Sequence, residues 1–457
     1  MNILFVSLGC DKNLVDSEIM LGLIREKGYN ITNDEHDADA IVVNTCCFIN
    51  DAKEESINTI LEMAEYKKTG KLKALVVTGC LGQRYKEEIQ NEISEVDAIL
   101  GTKSYDEIVN VIEAAMEGKK TVNIKELDYS TEVKATRINT TGGFFSYLKI
   151  AEGCDKHCTY CIIPKIRGNY RSVPMETLLE EAKGLVQSGI KELILVAQET
   201  TLYGKDIYGE KALPKLLKEL CKIEGLEWIR ILYCYPEEIT DELIEVIKSE
   251  EKIANYLDMP IQHASDNILK RMGRRTNKAE LIQIIEKLRS NIPDIAIRTT
   301  LITGFPGETE EEHEELKEFV KEMKFDRLGV FTYSKEDDTP AAKLKGQIRK
   351  HVKIQRQAEI MEIQQQIAFE HAKDMISKKV KVMIEGKLPQ ESIPEQINMT
   401  EEQALAMGNV YIGRTYMDAP NVDGYIFVQS RAELMSGEFV DVLVTDAKEY
   451  DLIGILI

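Results

Sequence analysis

The sequence predicts an α/β protein built from three parts. A doubly wound α/β domain is expected over residues 1–125, a partial (βα)6 parallel barrel with a helical connector over residues 147–376, and a small antiparallel β-barrel over residues 380–457. Short apolar runs alternate with amphipathic stretches as far as the connector, which is typical of parallel strands covered by helices. After residue 380 the pattern changes to short strands separated by Gly-bearing turns, which is typical of a small barrel or sandwich.

The composition excludes several classes of protein. The chain has 457 residues, of which 43% are hydrophobic, and a net charge of −20, which describes a large acidic globular protein. This charge disfavours general nucleic-acid binding, because phosphate contacts need clustered Lys and Arg, and it favours a basic partner. No apolar run approaches the roughly 20 residues that cross a bilayer, so no membrane partner is expected. The odd count of nine Cys and the lack of a secretory signal predict a reducing compartment, and we expect the cytoplasm.

Three cysteines follow the predicted strands of the first part. Runs rich in Val, Ile and Leu predict these buried strands at Ile3–Leu8, Ala40–Val43 and Ala74–Thr78. Parallel strands end at one edge of a sheet, where such folds bind ligands, so Cys10, Cys46 and Cys80 are expected to lie together as a metal-cluster site. Any one of them alone would be interpreted as a small buried residue. Cys47 should point away from its neighbour, although it stays a possible substitute ligand.

After a polar linker at residues 126–146, the alternation of strands and helices resumes. Six candidate strands are Tyr147–Ala151, Leu193–Ala197, Trp228–Tyr233, Tyr256–Pro260, Ile295–Ile302 and Leu328–Tyr333. Six strands with five crossovers suit a parallel barrel, in which the chemistry lies on the loops after the strands. A long helical connector is expected at Lys343–Ile376. The strands predicted beyond it are Val380–Ile384, Tyr425–Val428, Phe439–Val444 and Ile453–Ile457.

The strongest motif is the CxxxCxxC loop, residues Cys154–Cys161, which follows the first barrel strand. Three thiolates on one short loop can hold three irons of a four-iron cluster, and a missing fourth ligand leaves one iron open for chemistry. The alternative is a zinc site that uses His157 or a distant fourth ligand. Structural zinc sites usually pair two ligands with two more nearby, whereas the next cysteine here, Cys221, is far away in sequence.

At this loop the chain resembles the radical S-adenosylmethionine superfamily, and over nearly its whole length it resembles the methylthiotransferase family. Cys10, Cys46 and Cys80 match the cysteines that hold a second four-iron cluster in that family, and the final 78 residues look like its TRAM domain. Three segments are similar to the branch that modifies small-subunit ribosomal protein S-twelve: Ser7–Glu18, Ile163–Ser172 and Met259–Ser265. The tRNA-modifying branch typically has Gln-Met where this chain has Asp11 and Lys12.

The resemblance implies two four-iron clusters, S-adenosylmethionine as cofactor and two chemical steps. The cluster on Cys154, Cys158 and Cys161 generates a radical that removes hydrogen from the β-carbon of a target aspartate. That C–H bond is unactivated, so a cofactor radical is required. The second cluster presents sulfur, and another S-adenosylmethionine supplies the methyl group. The resemblance also implies a reducing electron donor, such as a flavodoxin or a ferredoxin.

Five further residues are candidates for contact with S-adenosylmethionine. Tyr160 precedes the third loop cysteine, where the family often has an aromatic residue near the adenine, and ordinary packing is the alternative. Gln198 and Glu199 follow the second barrel strand and are candidates for the methionyl amino group or the ribose, or are solvated loop residues. Arg298, if buried on the fifth strand, needs an anion such as the methionyl carboxylate. Gly304 begins a tight turn that would allow close backbone approach to the adenosyl group.

Two alternatives to a protein-modifying enzyme stay open on the sequence. One is a tRNA methylthiotransferase, and the other is an iron–sulfur protein that binds a cluster without radical chemistry. Residues 380–457 carry 13 Asp and Glu against 5 Lys and Arg, a net charge of −8. An RNA-binding barrel is expected to be basic, so this acidic part is expected to dock a basic protein substrate, with no direct tRNA substrate. Cys221 and Cys234 show no partner pattern and are interpreted as structural.

Overall fold

The computed structural model describes residues 1–128, 136–392, 408–448 and 450–457. Its first unit consists of the strands β1 (Asn2–Ser7), β2 (Asn30–Thr32), β3 (Ala40–Thr45), β4 (Ala74–Thr78), β5 (Ala98–Leu100) and β6 (Thr121–Asn123). The helices are α1 (Asp11–Glu26), α2 (Asn50–Thr69), α3 (Gly79–Arg84), α4 (Lys86–Glu92) and α5 (Ile108–Met116). The strands form one parallel sheet in the order β2-β1-β3-β4-β5-β6.

Every residue of β3 and β4 is buried, as their continuous runs of Val, Ile and Ala predict for central strands covered on both faces. The sequence identified the three strands that precede the cysteines and missed β2, β5 and β6. Each of these has only three residues, which is too short to show a period.

The second unit is an open parallel barrel. Its strands are β7 (Phe145–Lys149), β8 (Ala151–Glu152), β9 (Arg171–Ser172), β10 (Glu192–Val196), β11 (Trp228–Ile231), β12 (Ile253–Asp258), β13 (Ala296–Thr303) and β14 (Arg327–Thr332). Its helices are α6 (Ile163–Arg167), α7 (Met175–Gln187), α8 (Lys205–Tyr208), α9 (Leu213–Cys221), α10 (Asp241–Ser249), α11 (Asp266–Met272), α12 (Lys278–Asn291), α13 (Glu310–Met323) and α14 (Lys350–Asp374). Six strands pair in the order β14-β13-β12-β11-β10-β7 without closing, and β8 and β9 form a separate antiparallel pair before and after the CxxxCxxC loop.

The partial barrel that the sequence predicted is therefore confirmed, with strand ends displaced by a few residues. The connector is shorter than expected, because the helix α14 begins only at Lys350. A short 3-10 turn at Ala341–Lys343 and an irregular stretch around Gly346 come before it. Within the described residues, no helix is both long enough and apolar enough to span a membrane.

The third unit is a closed five-stranded barrel of β15 (Lys379–Lys387), β16 (Asn409–Arg414), β17 (Ile426–Ser430), β18 (Phe439–Lys448) and β19 (Asp451–Leu456). The sequence analysis missed β16. It was also wrong to expect a purely antiparallel barrel, since β17 and β19 pair in parallel while the other neighbours are antiparallel.

A buried ion-pair group joins this barrel to the parallel sheet. Glu192 on β10 accepts a hydrogen bond of 2.8 Å from Arg230 and one of 2.7 Å from Arg414 on β16. Burial raises the pKa of Glu192, but the two guanidinium groups outweigh it and hold that pKa below its usual value. Trp228 and Phe439 pack edge to face beside this group, with ring centroids 4.8 Å apart. The carboxy-terminal barrel is thus packed firmly onto the sheet of the second unit.

Candidate active site with two cysteine triads

The amino-terminal triad, Cys10, Cys46 and Cys80, lies at the carboxyl edge of the first sheet. Cys10 immediately precedes α1, Cys46 follows β3 and Cys80 lies in the first turn of α3. A Cβ built on Gly9 would lie 2.7 Å from the Cβ of Cys46, so glycine is needed for this close approach. All three thiols are free, and electrostatic contacts link each of them to the other two. The structure therefore brings together three cysteines that are far apart in sequence.

Burial and one arginine set the charge environment of this triad. Burial raises the pKa of Cys46, and it raises the pKa of Cys80 to about 12 although Arg167 opposes the shift. Nη2 of Arg167 lies 3.5 Å from Sγ of Cys80. A cysteine must be deprotonated to bind iron, so a cation at this sulfur favours its ligating form.

The loop triad, Cys154, Cys158 and Cys161, follows β8. Gly153 has a φ of +81°, and a Cβ on it would lie 2.1 Å from the backbone oxygen of Asn169, so only glycine lets the two segments pass. The backbone N–H of Cys161 donates to the carbonyl of Cys158 at 3.0 Å, which closes the turn between them. All three thiols are free, and burial raises the pKa of Cys154 to about 11.

The two triads differ in geometry from a site for one metal ion. Within the described ranges, no three His, Cys, Asp or Glu side chains converge closely enough to share a single ion. In a four-iron cluster each thiolate binds a separate iron, so its sulfurs stand further apart than ligands of one zinc ion. Each triad supplies three free thiols, the ligand type that such a cluster takes.

Two polar side chains with unpaired atoms follow β10, close to the loop triad. Nε2 of Gln198 donates to Glu152 at 3.0 Å, whereas its Oε1 is buried and has no hydrogen-bond partner among the described residues. Oε1 of Glu199 accepts from the backbone N–H and the hydroxyl of Thr201, and its Oε2 is buried without a hydrogen bond, 3.9 Å from Nζ of Lys156. Burial raises the pKa of Glu199 to about 7. Unpaired buried acceptors are costly, and a cofactor with amino and hydroxyl donors would satisfy them.

Aromatic and cationic groups surround the middle cysteine of the loop. The hydroxyl of Tyr235 lies 3.7 Å from Sγ of Cys158, and the Arg274 guanidinium stacks 4.1 Å from the centre of the Tyr235 ring. Tyr160 packs partly buried against the apolar group that includes Phe305, with its phenol directed to Cys158. Sequence reasoning found Tyr160 and missed the other two, because they follow β11 and α11, far along the chain.

A buried charge network runs from the amino-terminal triad to the short strand that leads into the loop triad. Nη1 of Arg167 lies 2.7 Å from Asp16 on α1 and 3.2 Å from Glu152 on β8, and Nη2 also donates to Asn13. Lys149 pairs with both carboxylates as well. Glu152 also accepts a hydrogen bond from Gln198. Hydrogen bonds thus run without a break from the amide of Gln198 through Glu152 and Arg167 to the sulfur of Cys80. The sequence signal for this network was two charged residues, Lys149 within the apolar run Tyr147–Ala151 and Glu152 directly after it.

A second contact between the units lies beside Cys10. Lys12 is buried, pairs with Asp11 at 2.9 Å, and places its ammonium 3.3 Å from the centre of the Tyr233 ring. Tyr233 has a φ of +61°, a strained conformation for a residue with a side chain, and its hydroxyl donates to Asp11 at 3.2 Å. Oδ2 of Asp11 is buried and has no hydrogen bond within the described part of the chain. This corner combines strain with an unpaired acceptor, which is common at ligand sites.

Two of the five candidate cofactor residues are in surroundings that differ from those expected. Arg298 pairs with Asp258 at 2.9 Å and with Asp423 of the carboxy-terminal barrel at 3.4 Å. The anions that pair with Arg298 are these two protein carboxylates. Arg298 therefore does not need the methionyl carboxylate as a partner, which was the reason for naming it a cofactor contact. Gly304 is covered by Lys353 of α14, since a Cβ on the glycine would lie 2.3 Å from the lysine Cγ. The open backbone face that was expected there is occupied by this side chain.

Of the remaining cysteines, Cys47 lies beside Cys46 and Cys80 but is buried among apolar side chains, and the other two pack in the barrel core. Cys47 is fully buried in the core beside α2, and burial raises its pKa well above the usual value. Cys234 is fully buried and Cys221 is half-buried, both against the core of the barrel. All three positions are those of small packing residues.

The comparisons with known proteins define the class of the chain first. Residues 148–320 match the radical SAM superfamily, residues 2–101 match the uncharacterized protein family UPF0004, and residues 396–457 match the TRAM domain. Among solved structures, the chain is similar to a radical S-adenosylmethionine methyltransferase, TsrM from Kitasatospora setae, solved with cobalamin and a [4Fe-4S] cluster bound. The TM-score is 0.53 and the identity 14%, over 74% of this chain and 76% of that one, which shows a shared fold. The fold and the loop are those of a radical SAM protein.

Full-length relatives then define the family. The chain is 69% identical over 454 residues to the ribosomal protein uS12 methylthiotransferase RimO of Lachnoclostridium phytofermentans, covering 99% of both chains. The proteins of the same name from Thermoanaerobacter sp. and Clostridioides difficile are 50% identical (99% of this chain and 99% of that protein) and 51% identical (98% and 97%). The chain belongs to the ribosomal protein uS12 methylthiotransferase family.

Proposed function

We propose that this chain is a radical SAM methylthiotransferase that adds a methylthio group to the β-carbon of an aspartate in ribosomal protein uS12. The observation that carries the proposal is the pair of free-thiol triads, with the buried network around Arg167 running from Cys80 to Glu152 on the strand that leads into the loop triad. A carrier with a single cluster would not account for the second group of three free thiols. The names of the full-length relatives support the reaction and its protein substrate.

The chain would hold one four-iron cluster on the loop triad and one on the amino-terminal triad. S-adenosylmethionine bound at the first would supply the radical that activates the C–H bond, and the second would supply sulfur. Gln198 Oε1 and Glu199 Oε2 are the acceptors that fit amino and hydroxyl groups of the cofactor. With a pKa of about 7, Glu199 can accept from such donors when ionised and donates one hydrogen bond when protonated. Arg167 would offset negative charge at the sulfur of Cys80.

Lys12 fits recognition of the target carboxylate. It is a buried ammonium beside Cys10, and its pKa is raised because Asp11 and Tyr233 outweigh the opposing effect of burial, so it stays charged. The ammonium of Lys12 would donate a hydrogen bond to the carboxylate of an aspartate that enters between the two units. A charge-assisted hydrogen bond of this kind contributes roughly 1.5–3 kcal/mol.

The acidic carboxy-terminal barrel would dock the basic protein substrate. Glu438 and Asp441 are exposed on the segment that leads into and begins β18, and Asp446 is exposed near its end. Complementary charge would speed association and favour a basic ribosomal protein over RNA. The electron donor would be a flavodoxin or a ferredoxin, and the compartment would be the cytoplasm.

The proposed activity is tested with reconstituted, reduced protein, S-adenosylmethionine and either purified uS12 or tRNA. The expected result is a mass gain of one methylthio group on an aspartate of uS12 and no change in the tRNA. Modification of tRNA alone would establish the tRNA methylthiotransferase instead. Reconstituted protein that binds iron and sulfide but never cleaves S-adenosylmethionine would establish an iron–sulfur protein without radical chemistry.

A further inference from the structure

Three stretches that lie on or contact the CxxxCxxC loop contain no acidic residue. They are residues 156–175, 268–279 and 339–358, which together hold fifteen Lys and Arg and no Asp or Glu. The whole chain has 78 Asp and Glu against 58 Lys and Arg, so these stretches are a local inversion of its charge. The first stretch contains two cysteines of the loop triad.

The three stretches meet at one residue of the CxxxCxxC loop. The backbone N–H of Thr159 donates to the carbonyl of Met272 at 2.8 Å, and its hydroxyl donates to the carbonyl of Arg271 at 2.8 Å. The carbonyl of Thr159 accepts from the N–H of Ala341 at 2.9 Å. Thr159 therefore ties both of the other basic stretches to the segment between Cys158 and Cys161.

A neighbouring turn joins the second and third stretches again. Nη2 of Arg271 donates to the carbonyl of Pro306 at 2.7 Å. The N–H of the next residue, Gly307, donates to the carbonyl of Gly346 at 2.8 Å. The turn at Pro306 and Gly307 thus holds residues 271 and 346 close to each other. The Lys and Arg side chains next to these two positions therefore lie in the same region of the surface.

Six side chains of these stretches are exposed and make no ion pair with any described residue. We call them the basic surface: Lys270, Arg275, Lys343, Lys345, Arg349 and Lys350. Other lysines in the same stretches are used internally, as Lys156 is with Glu238 and Lys353 is with the carbonyl of Tyr333. The basic surface has no such internal role, and its charge is free for a partner.

We propose that the basic surface docks a small acidic redox protein, which passes one electron to the cluster on the loop triad. This proposal rests on the proposed function, which requires such a cluster and a reductant. The reduced partner loses one electron and the cluster gains one, with no atom transferred. Opposite charges steer the encounter of the two proteins, most strongly at low ionic strength.

The position of the basic surface favours a redox partner over RNA, the other polyanion. All six of its residues lie in the second and third stretches, which are hydrogen-bonded to the loop between two cluster cysteines, so a donor docked there would have a short path to the cluster. They do not include the Asp11–Lys12 corner, where the protein substrate is expected. A basic surface would also repel the basic ribosomal protein, so the two partners would approach different sides of the site.

Binding is measured by titrating the full-length protein with a flavodoxin of net negative charge, at about 0.05 M and about 0.5 M salt. The test variant is Lys345→Glu/Arg349→Glu, and the matched control is Lys215→Glu/Lys218→Glu on the exposed side of α9. At low salt the test variant should bind the flavodoxin about tenfold or more weakly than wild type, and the control within about twofold. At high salt the three proteins should converge.

A second readout separates docking from chemistry. Reduction of the bound cluster by reduced flavodoxin, followed by stopped-flow absorbance, should slow in the test variant, while reduction by dithionite should not change. Equal flavodoxin binding and equal reduction rates in wild type and test variant would overturn the proposal, as would a loss confined to binding of a ribosomal RNA fragment. If dithionite-reduced wild type fails to modify uS12, the proposed function fails, while the binding result still decides the docking proposal.

Discussion

Replacing Arg167 with methionine should destabilise the protein and weaken one cluster site. Arg167 is 2% exposed and, with Lys149, balances two buried carboxylates, Asp16 and Glu152. Without the guanidinium, the ammonium of Lys149 is the one cation left in this group for the carboxylates of Asp16 and Glu152, so one buried negative charge loses its partner. Removing one partner of a buried pair costs roughly 3–5 kcal/mol. The loss also removes the cation that lies 3.5 Å from Sγ of Cys80.

The assay is guanidinium unfolding of the metal-free protein, together with iron content after reconstitution. Arg167→Met should lower the unfolding midpoint and reduce bound iron from about eight to about four per chain, since the loop triad is untouched. The variant Arg167→Met/Glu152→Gln restores the charge balance and should recover part of the stability. Arg25→Met, at an exposed position, is the control and should cost within about 0.5 kcal/mol. A loss below about 1 kcal/mol for Arg167→Met, with full iron content, would refute the reasoning.

Three further predictions concern the Asp11–Lys12 pair, Glu199 and the carboxy-terminal barrel. The double variant Asp11→Asn/Lys12→Met removes the buried pair without leaving a lone charge, and should raise KM for uS12 by roughly 10-fold or more while S-adenosylmethionine cleavage without uS12 is unchanged; an unchanged KM would remove Lys12 from recognition. Burial raises the pKa of Glu199 to about 7, so this carboxyl binds its proton more tightly in the folded state and costs stability as pH rises from about 4.5 to about 7. Glu199→Gln should therefore gain stability over wild type across that window in unfolding experiments on the metal-free protein, and a constant difference would contradict the shift. Asp441→Lys/Asp446→Lys should weaken uS12 binding, measured by titration, by about tenfold at low salt with little effect on cofactor cleavage; equal binding would reject the docking role of the barrel.

Much of the fold follows from the sequence because its strands are long apolar runs. The runs at β3, β4 and β10 are fully buried, and their order along the chain fixes a right-handed parallel topology. The three-residue strands and β16 carry too little pattern to be found. The parallel pairing of β17 with β19 depends on how distant segments pack, which the local sequence does not show.

The cysteines of the site could be predicted, whereas most of its polar partners could not. Cysteines at strand ends and at CxxxCxxC spacing are placed by topology and by local sequence alone. Arg167, Tyr233 and Arg274 reach the site through contacts between distant segments, so their roles depend on packing. Arg298 shows the opposite case, because a buried arginine needs an anion but the sequence did not reveal that Asp258 and Asp423 provide it.

The most direct test of the account compares alanine variants of the two triads in one assay. Reconstituted and reduced protein is incubated with uS12 and S-adenosylmethionine, and both 5′-deoxyadenosine and the mass of uS12 are measured. Replacing Cys154, Cys158 or Cys161 should abolish 5′-deoxyadenosine formation. Replacing Cys10, Cys46 or Cys80 should preserve it and yield no methylthio group on uS12. Methylthiolated uS12 from any variant of the amino-terminal triad would contradict its role in sulfur insertion. Cleavage of S-adenosylmethionine by any variant of the loop triad would contradict the role of that triad in radical formation.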